Sequence, residues 1–397
     1  MAILSISDKK ECTEFLQKLI QTPSVVEVHP EEQMVQVIAA EAKRLGLPFQ
    51  IFEKVAKRPN IYVGLPESFA CKEGILLVAH LDTVPEGNPN AWKYPPFSGM
   101  MVDNKLYGRG AIDCKGGIAL SLYVLKILKD LGQLHRAKFV GVADEESGAS
   151  SEFGLKYLLE KGLQAQGAIY TYGAPENDDA TINIGHRGVL RSRVIFKGES
   201  VHSGASEWQK RERGVNANEC LVDFVVKMRS LKSQFPEKHP DFGVYTFDAT
   251  PTLIKGGHAV SIVPDVAEVV YDIRTLPGQT KEEILQHMRT LAEKVNEDKK
   301  GKGYDIQVTI HVPAVLSNKE APMIQHAVKL HEKIFGKKPT LKGSGPANES
   351  YMLIQKGIPA IAGYGPLGGG FHGLDEYANL ETLEKSVTFL VELAKAM

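Results

Sequence analysis

Four short stretches of this 397-residue chain carry side chains able to bind cations or move protons. The apolar run Ile75–Ala79 opens into His80-Leu81-Asp82. YGRGAIDCKGG sets Asp113 after two glycines and before Gly116-Gly117 at a helix entry. KFVGVADEESG sets Glu145 beside Glu146 after a second apolar run. GPLGGGFHGLDE holds His372 among glycines. Polar groups at the carboxyl ends of buried strands are where open α/β sheets bind ligands.

Residues i and i+2 of a strand point the same way, so Asp82 can approach the His80 imidazole. A carboxylate there fixes the tautomer and raises the basicity of a ligating histidine. On this pair alone, a His-Asp stitch in a surface turn is an equal reading. Asp113 can bridge two cations, with glycines letting the backbone come close, although alone it reads more simply as a helix cap. The glycine spacing does not match a dinucleotide fingerprint, which excludes a cofactor-phosphate loop. Glu145 and Glu146 face opposite ways in extended geometry, so one can bind metal while the other holds a water. His372 gains weight only from the other three segments. Imidazole and carboxylate together suit Zn²⁺, Co²⁺ or Mn²⁺. Paired metals of this kind clamp a hydroxide and polarise a carbonyl.

The elements that must position these groups follow from hydrophobic period. Helical patterns cover Ser7–Ile20, Glu31–Leu45, Gly116–Leu131 and Glu152–Glu160, with strand-like runs at Phe49–Phe52, Ile61–Val63, Ile75–Ala79, Ala137–Ala143 and Ala168–Tyr170. This alternation predicts an α/β sheet covered on both faces. The middle of the chain reads strand Val189–Phe196, helix Asn216–Ser230, strands Val244–Ile254 and Ala267–Ile273, helix Lys281–Asn296 and strand Ile306–His311. That β-α-β-β-α-β order is the ferredoxin-like split unit. After Pro313 the first pattern resumes, with helices Ala321–Phe335, Glu349–Gln355 and Thr382–Ala396 around a strand at Ala360–Gly363. The reading is one domain inserted in another: 1–187 with 313–397, and 188–312 between them.

Bulk properties exclude several classes. Lys+Arg 47 against Asp+Glu 48 gives a net charge of −1, with no excess for nucleic acid or an anionic membrane. Cys12, Cys71, Cys114 and Cys220 form no CxxC pair, so neither a disulfide framework nor a thiolate zinc site is indicated. The N-terminus turns charged too early for a signal peptide and no apolar run spans a bilayer, so a cytoplasmic protein is expected.

LLVAHLDTVPEG, WKYPPFSGMMVDNKLYGRGAIDCKGG, ADEESGA and GGGFHGLDEYANL resemble the M20 family of metallopeptidases and deacylases, which includes acetylornithine deacetylase, succinyl-diaminopimelate desuccinylase and carboxypeptidase G2-like enzymes. The motifs occur in the family's order over essentially the whole chain. The resemblance implies a zinc-exopeptidase-type mixed sheet flanked by helices, with an inserted ferredoxin-like lid that dimerises. It implies a metal-dependent hydrolase cleaving an amide bond in a small N-acyl amino acid or peptide with a free carboxylate. Two divalent metal ions, zinc foremost, are expected. By motif, His80 and His372 each bind one metal, Asp113 bridges both, and Glu146 binds the His372 metal. Glu145 is the general base and Asp82 orients His80. His202 in VHSGASE stabilises the oxyanion, and Arg274 in YDIRTLP holds a substrate carboxylate, a task suited to a guanidinium fork. A non-proline cis peptide after Asp113 is also implied. Deacylase and di- or aminopeptidase activity are not separated by these residues.

Two departures stand out. The family supplies a further Glu or Asp, commonly before Pro, to the His80 metal, whereas YTYGAPENDDATINIGHRG has Ala174 before Pro175. Glu176 is expected to replace it, with Asp178 and Asp179 as weaker choices. A single-metal site, or a non-catalytic binding protein on the same scaffold, is the competing reading. Cys114 stands where Met is common, and beside a metal it is expected to be sensitive to oxidation.

Overall fold

The computed structural model describes residues 4–148, 152–176, 180–236 and 238–397. The chain divides into two compact units, Met1–Gly185 with Leu316–Ser344 and Asn348–Met397, and His186–Val315 with Gly345–Ala347. Gly345 joins the second unit for a physical reason. A Cβ there would meet the Tyr245 ring at 2.6 Å, and its carbonyl accepts from Arg187 Nε at 3.4 Å.

The larger unit is built on a six-stranded mixed sheet, in spatial order Phe49–Glu53, Pro59–Val63, Ala137–Val142, Ile75–His80, Gly167–Tyr170 and Ala360–Ile361. The last four strands run parallel, and the first two are antiparallel to their neighbours. Every residue of Ile75–His80 is buried, because successive side chains enter different cores. Ile75, Leu77 and Ala79 pack in one cluster with the helix Lys115–Asp130. Leu76 and Val78 pack in another with Leu155, Leu158 and Leu353. At about 25 cal/mol per Å² of apolar surface, this two-sided burial is what holds the central strands rigid.

Register decides where the chemistry emerges. His80 lies opposite Val142, and Val78 opposite Tyr170, so three parallel strands end at one edge. Beside this sheet is a five-stranded one made of very short strands, Met100–Val102, Lys105–Tyr107, Tyr377–Asn379, Leu367–Gly369 and Ala174–Pro175.

The second unit has an antiparallel sheet in the order Asp248–Gly256, Val266–Thr275, Gly188–Lys197 and Tyr304–Val312. The helices Ala217–Met228 and Lys281–Asp298 pack on it through Phe224, Ile284 and Met288. Thr280 and Glu283 close a capping box that starts the second helix. The connectivity is that of the ferredoxin-like split unit.

Candidate metal centre

His80 continues the strand register of Leu76 and Val78 and is 2% exposed. Its Nδ1 faces the main-chain carbonyl of Asp82 at 2.9 Å, closer than the Asp82 carboxylate at 3.6 Å. A carbonyl only accepts, so Nδ1 carries the proton and Nε2 points to Asp113 Oδ1 at 2.8 Å. The Asp82 carboxylate accepts the main-chain N–H of Glu145 at 3.2 Å and of Glu146 at 2.9 Å. It therefore fixes the acidic turn as well as standing beside His80. The other oxygen of Asp113 lies 3.3 Å from His372 Nε2, which is also 3.3 Å from Glu146 Oε1. The peptide between Asp113 and Cys114 is cis.

Among the described residues, three groups of side chains have ligand atoms within 4.8 Å of one another: His80, Asp113 and Cys114; His80, Glu145 and Glu146; and Asp113, Glu146 and His372. Asp113 thus serves both histidines. The donor set fits a divalent cation. His80 is doubly anchored, and its Nε2 needs either a second proton or a metal facing Asp113. Burial opposes a charge on His80, yet the neighbouring Cys114, Asp113 and Asp82 hold its pKa well above the ordinary value. Asp113 and Glu146 raise that of His372 to about 10. Burial pushes the Asp113 carboxyl up, but His372 and His80 on its two oxygens carry it below the usual range. Glu146 is raised by burial against the pull of His372, and its Oε1 lacks a hydrogen bond of good geometry. Protons here stand where a cation satisfies the same lone pairs.

Glu145 is buried, and burial raises its carboxyl well above the ordinary value, with Glu146, Glu349 and Asp113 adding to the shift against His80. A carboxyl raised in this way is a stronger base near neutrality.

Sequence patterns alone miss two acids that organise the site. Glu376 is 1% exposed and accepts from Gly110 N (2.8 Å), Ile112 N (3.1 Å), Asp113 N (3.2 Å) and Arg109 Nη1 (2.8 Å). Arg109 in turn donates to the Gly373 carbonyl at 2.8 Å and lies over Trp92. One ion pair therefore ties the Asp113 loop to the His372 loop. The available signal was a lone arginine in a glycine-rich buried loop, which demands a buried partner. Glu349 is fully buried, accepts from the Tyr170 hydroxyl at 3.2 Å, and is raised to about 8 by burial and by Asp82.

Glu176 is not brought to this centre. Ala174–Pro175 pairs with Leu367–Gly368, which turns Glu176 onto the five-stranded sheet. There its carboxylate accepts from Tyr377 (2.9 Å), Asn379 (3.2 Å) and Lys105 (3.2 Å). Asp178 and Asp179 lie outside the described residues. Next to Val78 the chain supplies Thr171, whose Oγ1 donates to the Val78 carbonyl at 3.0 Å. The expected oxidation sensitivity of Cys114 does not fit its setting. It is fully buried, its thiol donates to the Thr171 carbonyl at 3.5 Å, and burial pushes the thiol up to about 12. Oxidation follows thiolate character and access, and both are lacking.

In the second unit, His202 is exposed and its Nδ1 accepts from Gly204 N at 3.0 Å, which leaves the Nε2 proton outward in the neutral form. Arg274 is held by Asp272, with Nε to Oδ1 at 2.6 Å.

Two imidazoles on one carboxylate, with paired glutamates at the carboxyl end of a mixed sheet, form a donor set able to hold divalent metal ions. Residues 76–396 match the model of peptidase family M20/M25/M40, and the chain belongs to that family. It is 27% identical over 366 residues to an uncharacterised metallohydrolase of Methanocaldococcus jannaschii, covering 87% of this chain and 86% of that protein. It is also 27% identical over 391 residues to succinyl-diaminopimelate desuccinylase of Methylorubrum extorquens, covering 93% and 94%. A tripeptidase structure from Staphylococcus aureus Mu50 superposes with a TM-score of 0.76 at 20% identity, over 99% of this chain and 100% of that one. The fold is the zinc-exopeptidase type with an inserted ferredoxin-like domain.

Proposed function

We propose that the chain removes an acyl group from a small N-acyl amino acid bearing a free carboxylate, in the manner of a deacetylase or desuccinylase. Two divalent cations sharing Asp113 are inferred, zinc first, with cobalt or manganese as alternatives. The observation that carries the reading is the bidentate use of Asp113, one oxygen toward His80 and the other toward His372.

When bound, such cations acidify water and polarise a carbonyl. The chain's own groups do the rest. Glu145 takes the proton of the attacking water and returns it to the leaving amine. Asp82 holds the Glu145 and Glu146 backbone in place through the two N–H bonds. His202 offers its Nε2 proton to the developing oxyanion, and Arg274, aimed by Asp272, receives the substrate carboxylate. The second unit is read as a lid and dimerisation domain. Its edge strand Asp248–Gly256 exposes Leu253 and Ile254, and the helix Ala217–Met228 exposes Val222 and Val226, apolar side chains available to a second copy. A cytoplasmic location belongs to the same proposal.

A second reading, a weakened or non-catalytic site, is favoured by one feature. No carboxylate from residues 171–176 joins the His80 side, since Glu176 is committed to Lys105, Tyr377 and Asn379. The deciding experiment loads the metal-free protein with Zn²⁺, Co²⁺ or Mn²⁺ and assays N-acyl amino acids beside dipeptides. Turnover of N-acyl amino acids supports deacylation. A requirement for a free terminal amine makes the chain a di- or aminopeptidase, and no turnover with any metal leaves the binding-protein reading.

A further inference from the structure

The turn carrying Glu145 and Glu146 is gripped from a side that none of the metal-binding segments supplies. Asp144 has a left-handed backbone, φ 65°, a region that non-glycine residues seldom occupy and that aspartate tolerates better than most. Its Oδ1 accepts from Arg58 Nη2 at 2.9 Å. The same guanidinium forks onto Glu31, with Nε to Oε2 at 2.5 Å and Nη2 to Oε1. Glu31 is 1% exposed, and Arg58 also lies over the Phe153 ring at 4.9 Å. Two residues on, Asn60 accepts from Ala143 N at 3.0 Å and donates to the Phe153 carbonyl at 2.6 Å. Residues 58 and 60 thus hold the segment after the strand Ala137–Val142 at Ala143, Asp144 and Phe153. Asp82 holds it from the other side through Glu145 N and Glu146 N.

We propose that Arg58, locked by the buried carboxylate of Glu31, is a positioning residue that keeps Asp144 left-handed and so aims Glu145 and Glu146 at the metal centre. The inference rests on the reading of Glu145 as base and Glu146 as ligand. The chemistry selects arginine. A planar fork can hold Glu31 with one edge and still reach Asp144, whereas an ammonium is a single point of charge. Removing such a support lets the two glutamates drift without touching either one.

The test titrates metal-free wild type, Arg58→Met and Arg58→Lys with Zn²⁺ by calorimetry, alongside thermal unfolding. Arg58→Met is expected to bind metal about tenfold more weakly or worse, the usual cost of losing an outer support of a ligand. Arg58→Lys is expected to recover most of the melting temperature but not the affinity. Asp144→Asn, which keeps shape and removes the charge-assisted bond, serves if Arg58→Met does not fold, and its affinity is expected to fall as well. Wild-type affinity in Arg58→Met, or in Asp144→Asn if that variant is used, overturns the proposal. So does an Arg58→Lys protein in which affinity returns together with stability. In the kinetic arm kcat falls while KM stays within about twofold, the pattern of a lost transition-state interaction. If wild type turns over no substrate, the functional reading fails, and the metal titration still decides the role of Arg58.

Discussion

Glu376 Oε1 accepts the main-chain N–H of Asp113 at 3.2 Å, four residues after His372 in the chain. The bridging carboxylate and one histidine are thus held by a single buried acid. Glu376→Ala strands Arg109 and three backbone donors in a dry environment, so about 3–5 kcal/mol of stability should be lost. Denaturant unfolding of the metal-free protein measures this. His372→Ala, half-exposed, should weaken metal binding and also cost some metal-free stability near neutral pH, since Asp113 and Glu146 hold its imidazole protonated, but less than Glu376→Ala. If Glu376→Ala unfolds like wild type, the loop is held by something else.

Glu145→Gln separates binding from chemistry. The amide keeps the size of the side chain but cannot take a proton near neutral pH. Metal content should match wild type, and turnover should fall by about 10²–10⁴-fold, the range for a positioned acid–base group. Elemental analysis and kcat on the same sample check both halves. Unchanged kcat removes Glu145 from the mechanism.

How much of this was legible depended on length and on sequence distance. Ile75–His80 and Lys281–Asp298 are long enough for their periods to speak, and the order of elements in 188–312 carries the ferredoxin-like connectivity. The five-stranded sheet was invisible because its strands have two or three residues, too few to alternate. That gap misdirected Glu176, since nothing near Ala174 announces its pairing with Leu367. His80, Asp113, Glu145, Glu146 and His372 each follow a readable segment, and the structure brings them together. Glu376 closes the motif GGGFHGLDE, yet its role is not legible there, because its partner Arg109 is 267 residues away.

Glu176→Ala tests the missing-ligand question directly. The carboxylate is partly exposed, and losing an exposed pair with Lys105 costs about 0.2–1 kcal/mol. Metal stoichiometry after zinc saturation should be unchanged. A loss of one ion per chain would return Glu176 to the His80 site and contradict its placement on Lys105, Tyr377 and Asn379.

The edge strand offers a test of assembly. Leu253 is 57% and Ile254 60% exposed on a strand with one open side, a surface that solvent does not favour. Leu253→Lys with Val222→Glu should shift the sedimentation coefficient from dimer to monomer without unfolding the unit. A wild type that sediments as a monomer at micromolar concentration excludes this interface.

Glu349 gives a pH signature whose sign follows from its burial. Burial, then Asp82, raises its carboxyl from 4.5 to about 8, against the pull of His80 and the Tyr170 hydroxyl. Between those values the folded chain holds a proton that the unfolded chain has released. Stability then falls as pH rises through the window, because unfolding releases protons. Below about 4.5 both states are protonated and the penalty vanishes, while above about 8 it is fully present. Glu349→Gln has no such proton. In chelator-treated protein, wild-type stability minus that of Glu349→Gln should therefore decrease from about pH 5 to about pH 8. Denaturant midpoints at each pH supply the difference. Parallel curves would mean that Glu349 is ionised in the fold, held by donors that outweigh its burial.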